Sequence, residues 1–212
     1  MKKTILFDLD GTLTDSGEGI INCAIYAMEH YGVPIPPREE LRVFVGPPLT
    51  DTFIKFGVKP EDAVDAVEKF RERFIPIGMY ENKLYPSIKE LLETLQAEGH
   101  ILCIATSKPE SMALEVLRYF DIKKYFHYIC GATLDHSRDT KEQVIAYLLS
   151  QCDSKYPWIM VGDTAFDVIG AKSHDIPAIG VAWGYGLVEE MRDAGATAIV
   201  YDTKELLQQL QK

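Results

Sequence analysis

From residue 84 onward, short unbroken apolar runs alternate with stretches in which apolar residues recur every three or four positions. Ile101-Leu102-Cys103-Ile104-Ala105 is one such run. Tyr128-Ile129-Cys130, Trp158-Ile159-Met160-Val161, Ala178-Ile179-Gly180-Val181 and Ala198-Ile199-Val200 are the others. Runs apolar at consecutive positions suit strands of a parallel sheet covered on both faces. Between them, Ile88, Leu91, Leu92 and Leu95 mark one helical face that stops at Gly99. Ala113, Val116, Leu117 and Phe120 mark a second, and Val144, Ile145, Leu148 and Leu149 a third. Leu206, Leu207 and Leu210 mark a last one. The alternation predicts an α/β fold: a doubly wound, Rossmann-like parallel-sheet core with right-handed crossovers.

One further apolar run, Ile5-Leu6-Phe7, stands alone near the start. Residues 15–81 then break the alternation and show no convincing strand. Helices are expected at 16–30, 37–44, 49–56 and 60–74, punctuated by Pro34, Pro36, Pro37, Pro47, Pro48 and Pro60. The reading is a core of residues 1–14 and 82–212 with an inserted helical cap at 15–81. An insert that emerges after the first strand can serve as a lid.

Composition narrows the classes. The chain has 212 residues, 47% of them hydrophobic and 25% charged, the balance of a globular protein. Its net charge of −10 repels polyanions, so nucleic acid is not expected as a partner. The apolar run after Lys2-Lys3 is too short for a signal peptide or a membrane span, which predicts a cytoplasmic protein without membrane contact. Cys23, Cys103, Cys130 and Cys152 have no CxxC spacing and fall in apolar segments, as reduced core thiols do. A monomer or weak dimer is expected.

Chemistry enters at the strand ends, because open α/β sheets bind ligands beyond the carboxyl ends of their strands. Asp8-Leu9-Asp10-Gly11-Thr12 puts two carboxylates two residues apart where the first strand stops. Two such acids can divide labour, one as an ionised nucleophile and the other as acid and then base. The pattern suits an acyl-phosphate on Asp8. Gly11 allows close backbone approach, and its N–H can face an anion. Thr106 and Ser107 follow the run at 101–105 and lead towards a helix. Gly162-Asp163-Thr164-Ala165-Phe166-Asp167 follows the run at 158–161. Lys141 falls in the first turn of a helix, where a cation opposes the macrodipole; a bound phosphate explains it. Singly, these residues are also what helix caps and a surface lysine look like. Together they line one edge of one sheet.

Taken in order, Asp8-Leu9-Asp10-Gly11-Thr12, Thr106, Lys141 and Gly162-Asp163 with Asp167 resemble the motifs of the haloacid dehalogenase superfamily, phosphatase type. The resemblance covers essentially the whole chain, and 15–81 is similar to that family's small helical cap. It implies Asp8 as nucleophile and Asp10 as acid/base. It implies Mg²⁺ held by Asp8, Asp163 and the Asp10 backbone carbonyl, with Asp167 in support, orienting metal-bound water or Lys141. It likewise implies Gly11, Thr106, the Ser107 N–H and Lys141 as phosphate-binding groups. A second acid at Asp10 favours transfer between oxygens over cleavage of a carbon–halogen bond.

Val45-Gly46-Pro47-Pro48-Leu49, Tyr80-Glu81-Asn82, Ala105-Thr106-Ser107-Lys108-Pro109 and Lys141-Glu142-Gln143-Val144-Ile145 are similar to a 5′-nucleotidase-like branch close to phosphoglycolate phosphatases. The expected substrate is a small phosphorylated metabolite, a nucleoside monophosphate first. Ser107, where Asn is usual, and Asp139-Thr140-Lys141, in place of Gly-Lys-Pro, depart from the phosphoglycolate pattern. Phosphoglycolate or pyrophosphate hydrolysis and a β-phosphoglucomutase-like mutase reaction are the alternatives. The stiff turn at 45–51 reads equally as a specificity loop or a linker. Cap aromatics such as Phe44, Phe53, Phe70 and Tyr80 read as bundle core or as platforms for a base.

Overall fold

The computed structural model describes every residue except His136. The chain runs β1 (Thr4–Phe7), β2 (Thr14–Asp15), α1 (Gly17–His30), α2 (Leu49–Lys55), α3 (Ala63–Phe74), β3 (Lys83–Leu84), α4 (Ile88–Ala97), β4 (Ile101–Pro109), α5 (Glu110–Tyr119), β5 (Tyr128–Ala132), α6 (Lys141–Gln151), β6 (Trp158–Gly162), α7 (Ala165–Lys172), β7 (Ala178–Val181), α8 (Val188–Ala194), β8 (Ala198–Val200) and α9 (Thr203–Gln211). It divides into two units, Met1–Thr14 with Leu84–Lys212, and Asp15–Lys83. Among the described residues no helix is long and apolar enough to cross a membrane.

The larger unit is the predicted α/β core. Its six-stranded sheet has the order β5-β4-β1-β6-β7-β8, and every pairing is parallel. β1 is buried on both faces, with Ile5, Leu6 and Phe7 fully enclosed, which is why it reads as an unbroken apolar run. The sheet turns at β1: β4 and β5 lie to one side and β6, β7 and β8 to the other. A crevice opens at such a switch point. Register decides what stands there. Phe7 is level with Ile104 of β4 and Val161 of β6, so the positions just past these three residues emerge at one edge. The Asp8 N–H donates to the Val161 carbonyl at 3.0 Å, which carries this alignment one residue past the strand.

Two local expectations change. β4 does not end at Ala105. Thr106 pairs with Gly131 and Pro109 with Ala132, with a register shift between them, so Thr106 and Ser107 lie in the strand and not at a helix N-terminus. Pro109 enforces this, since the residue before a proline avoids helical backbone; α5 starts only at Glu110.

The smaller unit packs α1, α2 and α3 around Phe44, Phe53, Phe70 and Phe74, all buried. Their rings meet at 5.0 Å (Phe44–Phe53), 6.5 Å (Phe53–Phe70) and 5.1 Å (Phe70–Phe74). These four rings are therefore bundle core. The helix expected at 37–44 is a 3₁₀ segment, Glu40–Phe44, and that at 60–74 opens with a 3₁₀ turn, Pro60–Asp62. Arg73 and Glu81 form a bidentate pair at 2.8 and 2.9 Å that ties the end of α3 to the segment before β3.

Candidate active site

The site forms within the larger unit at the carboxyl edge of the sheet. Asp8 follows β1 directly. Asp163 follows β6, and Asp167 lies in the first turn of α7. Carboxylate oxygens of these three lie within 4.8 Å of one another. All three residues are buried, Asp163 and Asp167 completely. Such crowding is costly without a cation. The Lys141 ammonium answers part of it, at 2.9 Å from Asp8 Oδ1 and 2.7 Å from Asp167 Oδ1. It also donates to the Ala105 carbonyl at 2.9 Å, so three oxygens lie within reach of its three N–H donors. With all three carboxylates ionised, one ammonium would leave two negative charges unmatched in this cluster.

Protonation follows from the crowding. Burial, opposed by Lys141 and aided by Asp167, pushes Asp8 up to about 6. Burial, together with the charges of Asp167 and Asp8, holds Asp163 well above the usual carboxylate range. Burial works against the Lys141 ammonium, but Asp167 and Asp8 outweigh it and keep the group protonated. Lys141 is thus a buried counter-ion and not a solvated surface lysine. It is the first residue of α6, whose N-terminus is fixed by a capping box between Thr140 and Gln143.

The Asp163 carboxylate is clamped from two sides. Thr12 Oγ1 donates to Oδ1 at 3.0 Å and the Tyr185 N–H to Oδ2 at 2.9 Å. Asp167 Oδ2 accepts from the Thr164 N–H at 3.0 Å and its hydroxyl at 2.8 Å, which locks the start of α7. Two glycines make room. Gly11 has φ of 86°, and a Cβ there would fall 2.1 Å from Asp163 Oδ2. A Cβ on Gly184 would fall 2.3 Å from Asp163 Cβ and 2.5 Å from the Gly11 carbonyl.

Of the residues read from the sequence, Asp8, Lys141, Asp163 and Asp167 form this one cluster. Thr106 is buried, and its hydroxyl works against the burial that raises Asp8; Ser107, the next residue of β4, is half-buried. Gly11 departs from expectation. Its N–H donates to the Thr14 carbonyl at 2.8 Å, closing the turn after β1, so the amide expected to face an anion is committed to the backbone. The Asp10 carboxylate stands apart from the cluster, with Oδ2 2.9 Å from the Lys108 ammonium. Sequence reasoning passed over Lys108, Thr12, Tyr185 and Trp183, whose indole N–H donates to the Thr12 carbonyl at 3.1 Å. Lys108 had a signal: it follows Thr106 by two residues at the same strand end. The contacts of Tyr185 and Trp183 had none, because they depend on how the segment after β7 folds back. Arg138 was also passed over. It donates to the Gly131 carbonyl at 2.7 Å and to Glu110 at 2.9 Å, joining the segment before Lys141 to the end of β5 and the start of α5.

Comparison with known proteins finds relatives along nearly the whole chain. The family model for haloacid dehalogenase-like hydrolases matches residues 5–181. A 5′-nucleotidase of Pseudomonas aeruginosa is 40% identical over 209 residues, 98% of this chain and 95% of that protein. The tyrosine-protein kinase PtkA of Mycobacterium tuberculosis is 37% identical over 198 residues, 93% of this chain and 68% of that protein. The crystal structure of a predicted phosphatase from Clostridium acetobutylicum superposes with a TM-score of 0.94 at 39% identity, covering 100% of this chain and 99% of that one.

Proposed function

The chain belongs to the haloacid dehalogenase-like hydrolase family, and from that premise we propose that it is a Mg²⁺-dependent phosphomonoester hydrolase acting through an aspartyl-phosphate on Asp8. The observation that carries this reading is the pairing pattern of the two acids after β1. Asp8 is buried against Lys141 among carboxylates, whereas Asp10, two residues on, is held separately by Lys108. Nucleophile and acid/base are thereby kept in different surroundings.

The residues fit a divalent cation. The fully ionised cluster, less the Lys141 ammonium, carries two negative charges, which equal the charge of Mg²⁺ in magnitude, and carboxylate oxygens are its preferred donors. Asp8, Asp163 and the Asp10 backbone carbonyl would hold it, with Asp167 in support. When bound, it supplies the positive charge that lets a carboxylate approach an anionic phosphate. The remaining work falls to this chain's own groups. Asp8 attacks phosphorus, the ester P–O bond breaks, and Asp10 gives its proton to the departing alkoxide. Asp10 then takes a proton from the water that cleaves the acyl-phosphate, releasing inorganic phosphate and restoring Asp8. Thr106, the Ser107 N–H and Lys141 hold the phosphoryl oxygens as charge redistributes.

For substrate we propose a nucleoside monophosphate. The support is 40% identity to a 5′-nucleotidase across 98% of this chain. Choice among phosphate esters we assign to the helical unit, including the turn at 45–51.

The test is phosphate release with Mg²⁺ and with EDTA, in wild type and Asp8→Asn. The panel holds nucleoside monophosphates, phosphoglycolate, pyrophosphate and hexose phosphates. Mg²⁺-dependent turnover of nucleotides that vanishes in the variant is expected. Turnover that survives in Asp8→Asn overturns the nucleophile. Turnover confined to phosphoglycolate or pyrophosphate moves the substrate. Phosphate transfer between hexose positions without net release makes the protein a mutase.

A further inference from the structure

Lys108 lies outside the motifs that define the reaction, yet it is buried beside the acid/base. The register shift between Thr106 and Pro109 is a bulge in β4, and bulges re-aim the side chains they carry. Here the bulge turns Lys108 inward. Its own N–H donates to Thr106 Oγ1 at 3.2 Å, which anchors the bulge to the residue facing Asp8. Its ammonium then reaches Asp10 Oδ2 at 2.9 Å, with side-chain exposures of 5% for Lys108 and 13% for Asp10. Asp10 Oδ1 is buried and accepts no hydrogen bond. An ammonium is costly to bury unless it is paired, so this placement needs a reason that a solvated lysine would not.

We propose that Lys108 is a positioning residue for Asp10: by holding Oδ2 it fixes the rotation of the carboxylate and leaves Oδ1 as the oxygen that exchanges a proton with the leaving group and then with water. The bulge thereby links two tasks. The same four-residue stretch of β4 presents Thr106 to the phosphoryl group and sets the acid that serves the departing oxygen. The inference rests on the phosphatase reading and on Asp10 as its acid/base.

The experiment compares wild type with Lys108→Met and Lys108→Arg, each also in an Asp10→Asn background. Substrates are a nucleoside monophosphate, whose alkoxide needs a proton, and p-nitrophenyl phosphate, whose phenolate does not. Lys108→Met should lower kcat on the nucleotide about 100-fold, the scale of a misplaced acid, with KM nearly unchanged. Turnover of the aryl ester should fall less than about threefold by the same reasoning. Lys108→Arg should recover part of the loss, and in Asp10→Asn the Met substitution should add nothing, as expected of two residues acting as one unit. Equal losses on both esters, a rise in KM in place of the kcat loss, or an undiminished effect in Asp10→Asn overturns the proposal. Crystal structures of wild type and Lys108→Met provide a readout that does not depend on activity. The Asp10 carboxylate should hold one orientation in wild type and turn or spread in the variant; an unchanged carboxylate also overturns it. Wild-type protein that releases no phosphate from either ester refutes the phosphatase reading instead, and the crystallographic comparison still decides the role of Lys108.

Discussion

Replacing Lys141 by Met tests the electrostatic account of the site most directly. The substitution keeps a side chain of similar length and removes the ammonium that lies 2.9 Å from Asp8 and 2.7 Å from Asp167. At an effective dielectric constant of about 20, each contact carries roughly 6 kcal/mol of Coulomb attraction. Most of that is offset by the cost of burying the ammonium, which the variant no longer bears. Removing one partner of a buried pair costs about 3–5 kcal/mol net, because the other charge stays buried. The Ala105 carbonyl also loses its donor. At pH 8 without metal, a loss of about 3–5 kcal/mol is therefore expected. At pH 5 the abandoned carboxylates take up protons, and the loss should shrink to roughly 1–2 kcal/mol, near the cost of the lost hydrogen bond alone. The assay is urea unfolding in EDTA at both pH values, followed by tryptophan fluorescence. Trp158 and Trp183, the two tryptophans of the chain, both lie in the larger unit, so the signal reports that unit. A loss below about 1 kcal/mol at pH 8, or one no smaller at pH 5, would refute the view that Lys141 compensates buried charge.

Two further predictions follow from the same cluster. Because Asp8 sits at about 6 in the folded protein against an ordinary 3.8, its contribution to stability is present below about pH 4 and lost as pH rises through 6, on the order of 3 kcal/mol. In EDTA, Asp8→Asn should thus melt above wild type at pH 7.5 and lose that advantage by pH 4; the opposite order in a thermal-shift series would reverse the sign of the argument. Gly184→Ala places a methyl 2.4 Å from Asp163 Oδ2 and must displace that carboxylate. The Mg²⁺ concentration for half-maximal activity should rise about 10–100-fold, with substrate KM at saturating Mg²⁺ little changed. An unaltered Mg²⁺ titration would show that the clamp on Asp163 does not govern the metal.

The α/β core was legible because its evidence is local. β1, β6 and β7 are unbroken apolar runs, and a strand buried on both faces leaves that trace in any context. Asp8, Asp163, Asp167 and Lys141 were legible for a related reason: each stands just past such a run or in the first turn of a helix, so finding the elements nearly finds the residues. Three features were not. The continuation of β4 through Thr106 depends on pairing with β5, more than twenty residues away. The amide of Gly11 is consumed by a turn whose partner, Thr14, is a choice of backbone geometry. The pairing of Lys141 with two carboxylates, one just past β1 and one in α7, leaves no local trace, because it depends on segments that only the fold brings within 3 Å of each other.

The amino-acid sequence by itself thus determined the order of strands and helices and the residue types available at each strand end, because burial on both faces and helical periodicity are properties of neighbouring positions. Only the tertiary structure decided which of those residues pair. Parallel register brings Asp8, Thr106 and Asp163 to one edge, and it gives Lys141 to Asp8 and Asp167 while giving Lys108 to Asp10. Charge pairing is a matter of a few ångströms between segments a hundred residues apart, and no local pattern carries that distance.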